Sequence, residues 1–174
     1  VSLHITNDTL SDEALTLRWE LTDMRSKIIR SGSRDVTAKK LSAAEYETLD
    51  FSEELAAVEA KQSRCLQYSL WKNGGQISSG TVQFVPYKHL RLEDPELLAE
   101  IREEGDQFEI CVSSKAFAPF VALDLSEGDA VLRDNFFALP AGRKREILLP
   151  KSRLSKPLTL EEVQSQLTLC SLYD

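Results

Sequence analysis

The sequence predicts an all-β protein built from two tandem immunoglobulin-like β-sandwich domains with short helical turns. Short runs of alternating apolar and polar residues recur along the chain, separated by turn residues at intervals of roughly 8 to 12 positions. The spacing leaves no room for a parallel βαβ unit. The 174 residues also suit two sandwiches of about 87 residues each.

The chain opens with strand patterns. Residues 1–6 and 15–22 alternate apolar with polar side chains, which is the period of a strand with one buried face and one wet face. Trp19 falls on the apolar face. Residues 27–40 predict a weaker, polar strand, and residues 52–55 predict a capped helical turn because acidic residues follow a serine there.

A hairpin closes the first half of the pattern. Residues 66–70 and 81–84 alternate in the same way on either side of Asn73-Gly74. An Asn-Gly pair between two such runs is the strongest short signal for a β-hairpin, because both residues accept positive φ angles. We therefore predict two antiparallel strands here.

The domain boundary is predicted from a stretch without periodicity. Pro86 and Pro95 flank residues 87–93, which show no strand pattern, and the alternation resumes independently after them. We therefore expect one sandwich over residues 1–88 and a second over residues 89–174.

The second half repeats the pattern of strands and turns. Residues 97–101 and 108–112 predict a hairpin around an acidic turn, and Thr159 with Glu162 forms a capping box that predicts a short helix. The remaining predicted strands are residues 121–125, 130–139, 147–149 and 167–172. The alternation also assigns Leu17, Trp19, Leu66, Tyr68 and Phe84 to one core, and Phe108, Ile110, Val121 and Leu123 to the other.

Composition and charge exclude several classes of protein. The chain carries 21 Lys and Arg against 28 Asp and Glu, a net charge of −7, and 42% of its residues are hydrophobic. These values are those of an ordinary folded domain, and the negative charge argues against nucleic acid or an anionic membrane as a partner. Because the chain begins at Val1 with residues that already predict a strand, we expect a piece of a larger protein.

No catalytic, cofactor or metal site is predicted. Phosphate-binding loops, zinc-protease motifs and the serine-hydrolase elbow are absent, and His4 and His89 lie far apart in the sequence. The three cysteines, Cys65, Cys111 and Cys170, have no metal-ligand spacing and are expected as small residues on the strand face opposite their large apolar neighbours. The acidic residues of positions 93–106 are expected on solvated faces and turns.

Trp71 is the one aromatic side chain whose position suggests a contact role. It lies on the polar face of its predicted strand, beside the Asn73-Gly74 turn. Three roles fit this position, namely an anchor at a domain interface, a lone exposed residue, or a platform on which a sugar ring stacks. The basic residues of positions 143–156 are interpreted either as a surface facing another domain or as loop charges in water.

Several segments resemble a known family. The segments VSLHITNDT at 1–9 and LRWELTD at 17–23 resemble the Ig-like domain that follows the catalytic barrel in glycoside hydrolase family 2 β-mannosidases. The segments FVAL at 120–123, LRDNFFALPAG at 132–142 and LCSL at 169–172 are similar to the Ig-fold domain that ends those enzymes. Two departures are the extra Ala141 between Pro140 and Gly142, and the basic run that follows, where the family usually carries an acid.

The resemblance implies an accessory role in a larger enzyme. The parent would hydrolyse terminal non-reducing β-D-mannose residues with two glutamates in a barrel domain outside this chain, so the barrel would be the partner and no catalytic residue can be transferred. A periplasmic, secreted or lysosomal location would follow. The alternatives are a free-standing carbohydrate-binding or adhesion module and an unrecognised enzyme. We expect the motif of Asp134, Asn135, Phe136 and Phe137 to be structural, with the polar pair bonding local backbone and at least one ring buried.

Overall fold

The computed structural model describes residues 1–174 and confirms the all-β fold class. The chain divides into two compact units, one made of Val1–Asp23 with Lys27–Arg91 and the other of Met24–Ser26 with Leu92–Asp174. All named strand pairs are antiparallel. Each unit contains two sheets, as expected of an Ig-like sandwich.

The elements alternate with short turns along the whole chain. The strands are β1 Ser2–Asn7, β2 Glu13–Asp23, β3 Ile28–Ala38, β4 Ser42–Thr48, β5 Arg64–Lys72, β6 Gly75–Gln83, β7 Leu98–Glu104, β8 Gln107–Ser113, β9 Ala118–Leu125, β10 Phe137–Leu139, β11 Lys144–Pro150 and β12 Leu167–Cys170. The helices are α1 Val58–Gln62 and α2 Leu160–Gln166, with 3₁₀ turns at Tyr87–His89 and Lys151–Arg153. Neither helix is long and apolar enough to span a bilayer.

The first unit packs a two-stranded sheet on a four-stranded one. Strand β1 pairs with β4, and the larger sheet has the order β3-β2-β5-β6. The β5–β6 hairpin confirms the Asn-Gly prediction, because Asn73 and Gly74 have φ angles of 51° and 80°, the signs that a type I′ turn requires. Its main core confirms the predicted buried face: Leu3, Leu17, Trp19, Leu21, Leu49, Phe51 and Leu66, with Tyr68 and Phe84 packed against them.

Trp19 is held in that core by several contacts. It is 5% exposed, its indole Nε1 donates to Glu47 Oε1 at 3.2 Å, and its ring meets Phe51 edge-on at 5.7 Å between centroids. Gly32 lies directly opposite on β3, so the indole covers backbone where any other residue would place a side chain. The pairing therefore depends on both the large ring and the glycine.

The second unit is built from two three-stranded sheets. Their strand orders are β11-β8-β7 and β10-β9-β12, and the predicted hairpin is formed by β7 and β8. The core between them contains Phe108, Ile110, Val112, Ala118, Val121, Leu123, Leu125, Leu139, Ile147, Leu149 and Val163. Helix α2 begins with the predicted capping box, in which Thr159 Oγ1 accepts from the Glu162 N–H and the Glu162 carboxylate accepts from the Thr159 N–H.

Local predictions had mixed outcomes. The predicted helical turn at residues 52–55 is present as one turn, closed by the hydrogen bond from Leu55 N to Phe51 O, and the helix α1 follows it at Val58–Gln62. Strand β4 was not predicted, because its charged and small residues carry no alternation. Within residues 130–139, only Phe137–Leu139 form a strand, and most of the preceding residues are irregular.

Cys65 lies on the strand face that was predicted for it, and the structure adds that this face is buried. The residue lies on the face opposite Leu66, as predicted, yet that face is buried here and Cys65 is buried with it. Its Sγ lies 3.5 Å from Thr22 Oγ1, which also accepts from Gln67 Nε2 at 3.1 Å. Burial raises the pKa of the Cys65 thiol. Cys111 is half-buried and Cys170 is exposed, and all three thiols are free.

Candidate functional site

Trp71 lies on the outer face of the four-stranded sheet. It is on β5, where it pairs with Thr16 of β2 on one side and Gln76 of β6 on the other. Side chains alternate along a strand, so Leu70 next to it points into the core and Trp71 points away from it. Its side chain is half-buried.

The ring of Trp71 is fixed by two neighbours. The Arg18 guanidinium carbon lies 4.6 Å from the ring centroid, a cation–π contact between adjacent strands. The indole Nε1 donates to Ser69 Oγ at 2.8 Å, and Ser69 lies opposite Arg18 across the β2–β5 pair. This arrangement holds the indole in place before any ligand arrives.

The surrounding side chains can bind but are not arranged for hydrolysis. Beside Trp71, Thr16 Oγ1 donates to Asp35 Oδ1 at 2.8 Å. Glu13 and Lys72 have the strand parity of the opposite face, and the Glu13 carboxylate lies 2.5 Å from Lys72 Nζ. The Lys72 ammonium lowers the pKa of Glu13, which keeps that carboxyl ionised, whereas a catalytic acid must hold its proton near neutral pH. The face therefore combines one stacking surface with hydroxyl, amide and charged hydrogen-bonding groups.

One carboxyl group in the chain has a raised pKa. On the β7–β8 hairpin, the hydrogen bond and charge of Glu104 raise the pKa of Glu109. Both acids lie outside the cavity of the second unit, which is lined by Ala99, Glu100, Ile101, Gln164, Leu167 and Leu169. A pair of acids on an open hairpin cannot shelter a glycosidic bond from water, as a hydrolytic pair must.

The motif at residues 134–137 is organised by Asn135. Its Oδ1 accepts from Leu123 N at 2.9 Å and its Nδ2 donates to Leu123 O at 3.0 Å, so the side-chain amide extends the ladder along β9 where β10 has not yet begun. The same Oδ1 accepts from Phe136 N at 3.0 Å. The amide thus bonds backbone, as expected, although the main partner is a strand twelve residues away.

Asp134 and Phe137 both contact one arginine. Arg145 Nε donates to Asp134 Oδ2 at 2.8 Å, and the Arg145 guanidinium carbon lies 5.6 Å from the Phe137 ring centroid. Phe137 is half-buried and packs against the core of the second unit. Asp134 therefore forms an ion pair with Arg145, and the predicted bond from its side chain to local backbone is not what positions it.

Phe136 differs from the rest of its motif. Its φ angle is +57°, a region that bulky residues rarely occupy, and its side chain is 67% exposed. Burial of the Phe136 ring in this chain therefore offsets little of the energetic cost of its backbone conformation. This exposed ring was not singled out by the sequence, because alternation alone could not tell which of the two phenylalanines faces water.

The basic stretch at 143–156 is partly neutralised within its own unit. Arg145 pairs with Asp134, Lys151 with Glu103, and Lys156 Nζ lies 3.7 Å from Glu127 Oε2. Arg145, Lys151 and Lys156 therefore already have partners within this chain, and this weakens the interpretation of the whole stretch as a surface facing another domain. No group of three or more His, Cys, Asp or Glu residues is arranged to hold a metal ion.

Comparisons with known proteins cover the whole chain. A family model described as a Mannosidase Ig/CBM-like domain matches residues 1–89, and one described as an Ig-fold domain matches residues 92–174. No curated protein sequence matches the chain.

Two solved structures show the same fold. A β-D-mannosidase from Dictyoglomus thermophilum superposes with a TM-score of 0.82 at 21% identity, over 98% of this chain and 20% of that one. A structure of the exo-β-D-glucosaminidase CsxA superposes with a TM-score of 0.60 at 11% identity, over 98% of this chain and 24% of that one. The chain thus spans about a fifth of the length of the mannosidase it matches.

Proposed function

Because this chain belongs to the Mannosidase Ig/CBM-like domain family, we propose that it forms the non-catalytic C-terminal accessory domains of a β-mannosidase-like exo-glycosidase. The observation that carries the proposal is the match of nearly the whole chain, both units included, to one fifth of a β-D-mannosidase. The proposed parent hydrolyses terminal non-reducing β-D-mannose residues in a catalytic barrel, which is the covalent partner of these domains.

The proposed division into domains 1–88 and 89–174 fits this role. The main boundary between the two compact units falls between Arg91 and Leu92. The match to the first family model ends at residue 89, and the match to the second begins at residue 92. Each domain has a core of its own, so each can act as a rigid spacer or support in a larger enzyme.

The side chains also support a non-catalytic role. Hydrolysis needs an acid and a nucleophile held across the glycosidic bond in a sheltered pocket. The Glu104 and Glu109 pair lies on an open hairpin, and Lys72 holds the carboxylate of Glu13 ionised. We expect the chemistry to lie in the rest of the parent chain.

The test is an assay with the full-length parent and with this 174-residue chain. We expect the parent to release the aryl group from an aryl β-mannoside and the 174-residue chain to release none. Turnover by the 174-residue chain that survives repurification would overturn the proposal. So would a full-length parent that has no activity on β-mannosides.

A free-standing carbohydrate-binding module is the second candidate, because Trp71 lies on an outer sheet face with its ring already fixed by Arg18 and Ser69. Calorimetry with mannose and manno-oligosaccharides tests it. Binding at millimolar or tighter affinity that Trp71→Ala abolishes and Trp71→Phe retains would favour this candidate. We expect weak or no binding, since Arg18 already stacks on the ring.

A further inference from the structure

In the motif of residues 134–137, the side chain of Phe136 is mostly exposed and adds little to the packing of its own unit. Asn135 extends β9, Asp134 pairs with Arg145, and Phe137 packs on the core. Phe136 instead has a φ angle of +57° and a ring that is 67% exposed. A non-glycine residue in this region costs on the order of 1 to 3 kcal/mol and persists only where its surroundings hold it.

Asn135 is the group that holds Phe136 in this conformation. Its Oδ1 accepts from Phe136 N while the same amide is bonded to both backbone groups of Leu123. The strained backbone is therefore tied to the central strand of the β10-β9-β12 sheet. A ring held outward on such a rigid base loses little conformational freedom when it is buried by a partner.

A second aromatic residue repeats this geometry on the neighbouring strand. Phe120, on β9, has a φ angle of +55° and a side chain that is 43% exposed. The C-terminal segment lies next to it, because Leu172 N donates to Pro119 O at 3.0 Å, and Leu172 and Tyr173 are exposed as well. Phe120 and Phe136 adjoin the paired residues Val121 and Phe137 of β9 and β10, and we call the exposed side chains of Phe120, Phe136, Leu172 and Tyr173 the aromatic patch.

We infer that the aromatic patch is the surface on which the rest of the parent glycosidase chain docks, with Phe136 as its anchor. The inference rests on the proposed function, which names the occupant: a segment of the same polypeptide outside residues 1–174. A chain that spans one fifth of the mannosidase it matches leaves most of such an enzyme as a tethered partner. Because both surfaces belong to one polypeptide, the effective concentration of the partner segment at the patch is high. A small apolar contact area is therefore enough to keep the two docked.

The chemistry of the patch specifies the complementary surface. Phe and Tyr side chains at the centre of an interface require an apolar recess. Arg133 and Lys144 are exposed beside the motif, where Arg145 already pairs with Asp134. The recess on the partner segment is therefore expected to have carboxylates at its rim.

Hydrogen exchange measured by mass spectrometry compares the full-length parent with the 174-residue chain. We expect amides of residues 134–138 and 120–124 to exchange about tenfold more slowly in the full-length parent. Phe136→Ala in the full-length parent should remove that protection, whereas Val131→Ala, which truncates another exposed apolar residue of the same unit, should leave it intact. Equal exchange in the two wild-type chains would overturn the inference.

Three further outcomes are decisive. If the full-length parent hydrolyses an aryl β-mannoside yet the patch is unprotected, the inference fails and the proposed function stands. If the patch is protected and no β-mannoside is hydrolysed, the proposed function fails, and the patch docks on a tethered domain of another kind. Protection of the patch in the 174-residue chain by manno-oligosaccharides would instead identify it as a sugar platform and overturn the inference.

Discussion

Gly32→Ala tests whether the first core depends on the contact between Trp19 and the backbone of β3. A Cβ at position 32 would lie 2.6 Å from Trp19 Cε2 and Cζ2 and 2.7 Å from Nε1. Ordinary contacts lie between 3.4 and 4 Å, so the indole would have to move by about 1 Å. The movement is resisted because Trp19 is buried, bonded to Glu47 and packed on Phe51.

The expected cost follows from the packing. Adding a methyl group to a filled core costs about 1 to 3 kcal/mol, and replacing a glycine within a strand returns roughly 0.5 to 1 kcal/mol of that. We therefore expect the free energy of unfolding of the first unit to fall by about 1 to 2 kcal/mol. For a unit of this size the midpoint of thermal unfolding would fall by roughly 4 to 16 °C.

Urea unfolding followed by tryptophan fluorescence measures the effect. Trp19 and Trp71 are the only two tryptophans and both lie in the first unit, so the signal reports that unit. The matched control is Gly75→Ala, whose new Cβ would meet only the Lys72 carbonyl at 3.6 Å and which should be neutral or stabilising by up to about 1 kcal/mol.

A double-mutant cycle separates the clash from other effects of alanine. Trp19→Phe removes the indole Nε1 that the new methyl would meet, so Gly32→Ala should cost less in that background, with a coupling energy of at least about 0.5 kcal/mol. If Gly32→Ala and Gly75→Ala change stability equally in the wild-type background, Trp19 is not constrained as described and the reasoning is refuted.

Three further predictions concern the second unit, and calorimetry measures each. Asn135→Ala should lower its stability by roughly 1 to 3 kcal/mol, because both backbone groups of Leu123 lose their partner; a change no larger than that of an exposed Ser126→Ala control would contradict this. Thr159→Ala should cost about 1 kcal/mol by removing the capping box of α2, and Thr159→Ser should restore most of it. Glu104 raises the folded-state pKa of Glu109 above its unfolded value of 4.5, so the stability present below pH 4.5 is lost as the pH rises from there through the raised folded-state pKa. Glu109→Gln should therefore raise the unfolding temperature relative to wild type at pH 7 more than at pH 3.5, and equal shifts at both would count against the Glu104–Glu109 repulsion.

Part of the functional site could be read from the sequence. Strand parity put Trp71 on the outer face, and the Asn73-Gly74 turn fixed its position beside a hairpin. The sequence could not show that Arg18 and Ser69 would hold the ring, because both contacts depend on cross-strand register. In the same way the motif at 134–137 was evident, but the partner of Asn135 is Leu123, on a strand that only the fold brings alongside.

The sequence by itself determined the all-β class, the hairpins and most core residues. These follow from side-chain alternation and turn chemistry, which are local properties of a few consecutive residues. The sequence did not reveal β4, whose residues carry no alternation and become a strand only because β1 lies beside them. Tertiary structure likewise decided that Cys65 is buried on the polar face and that Phe136 faces water in a strained backbone. Both depend on which distant strands lie nearby, and no local pattern of residues carries that information.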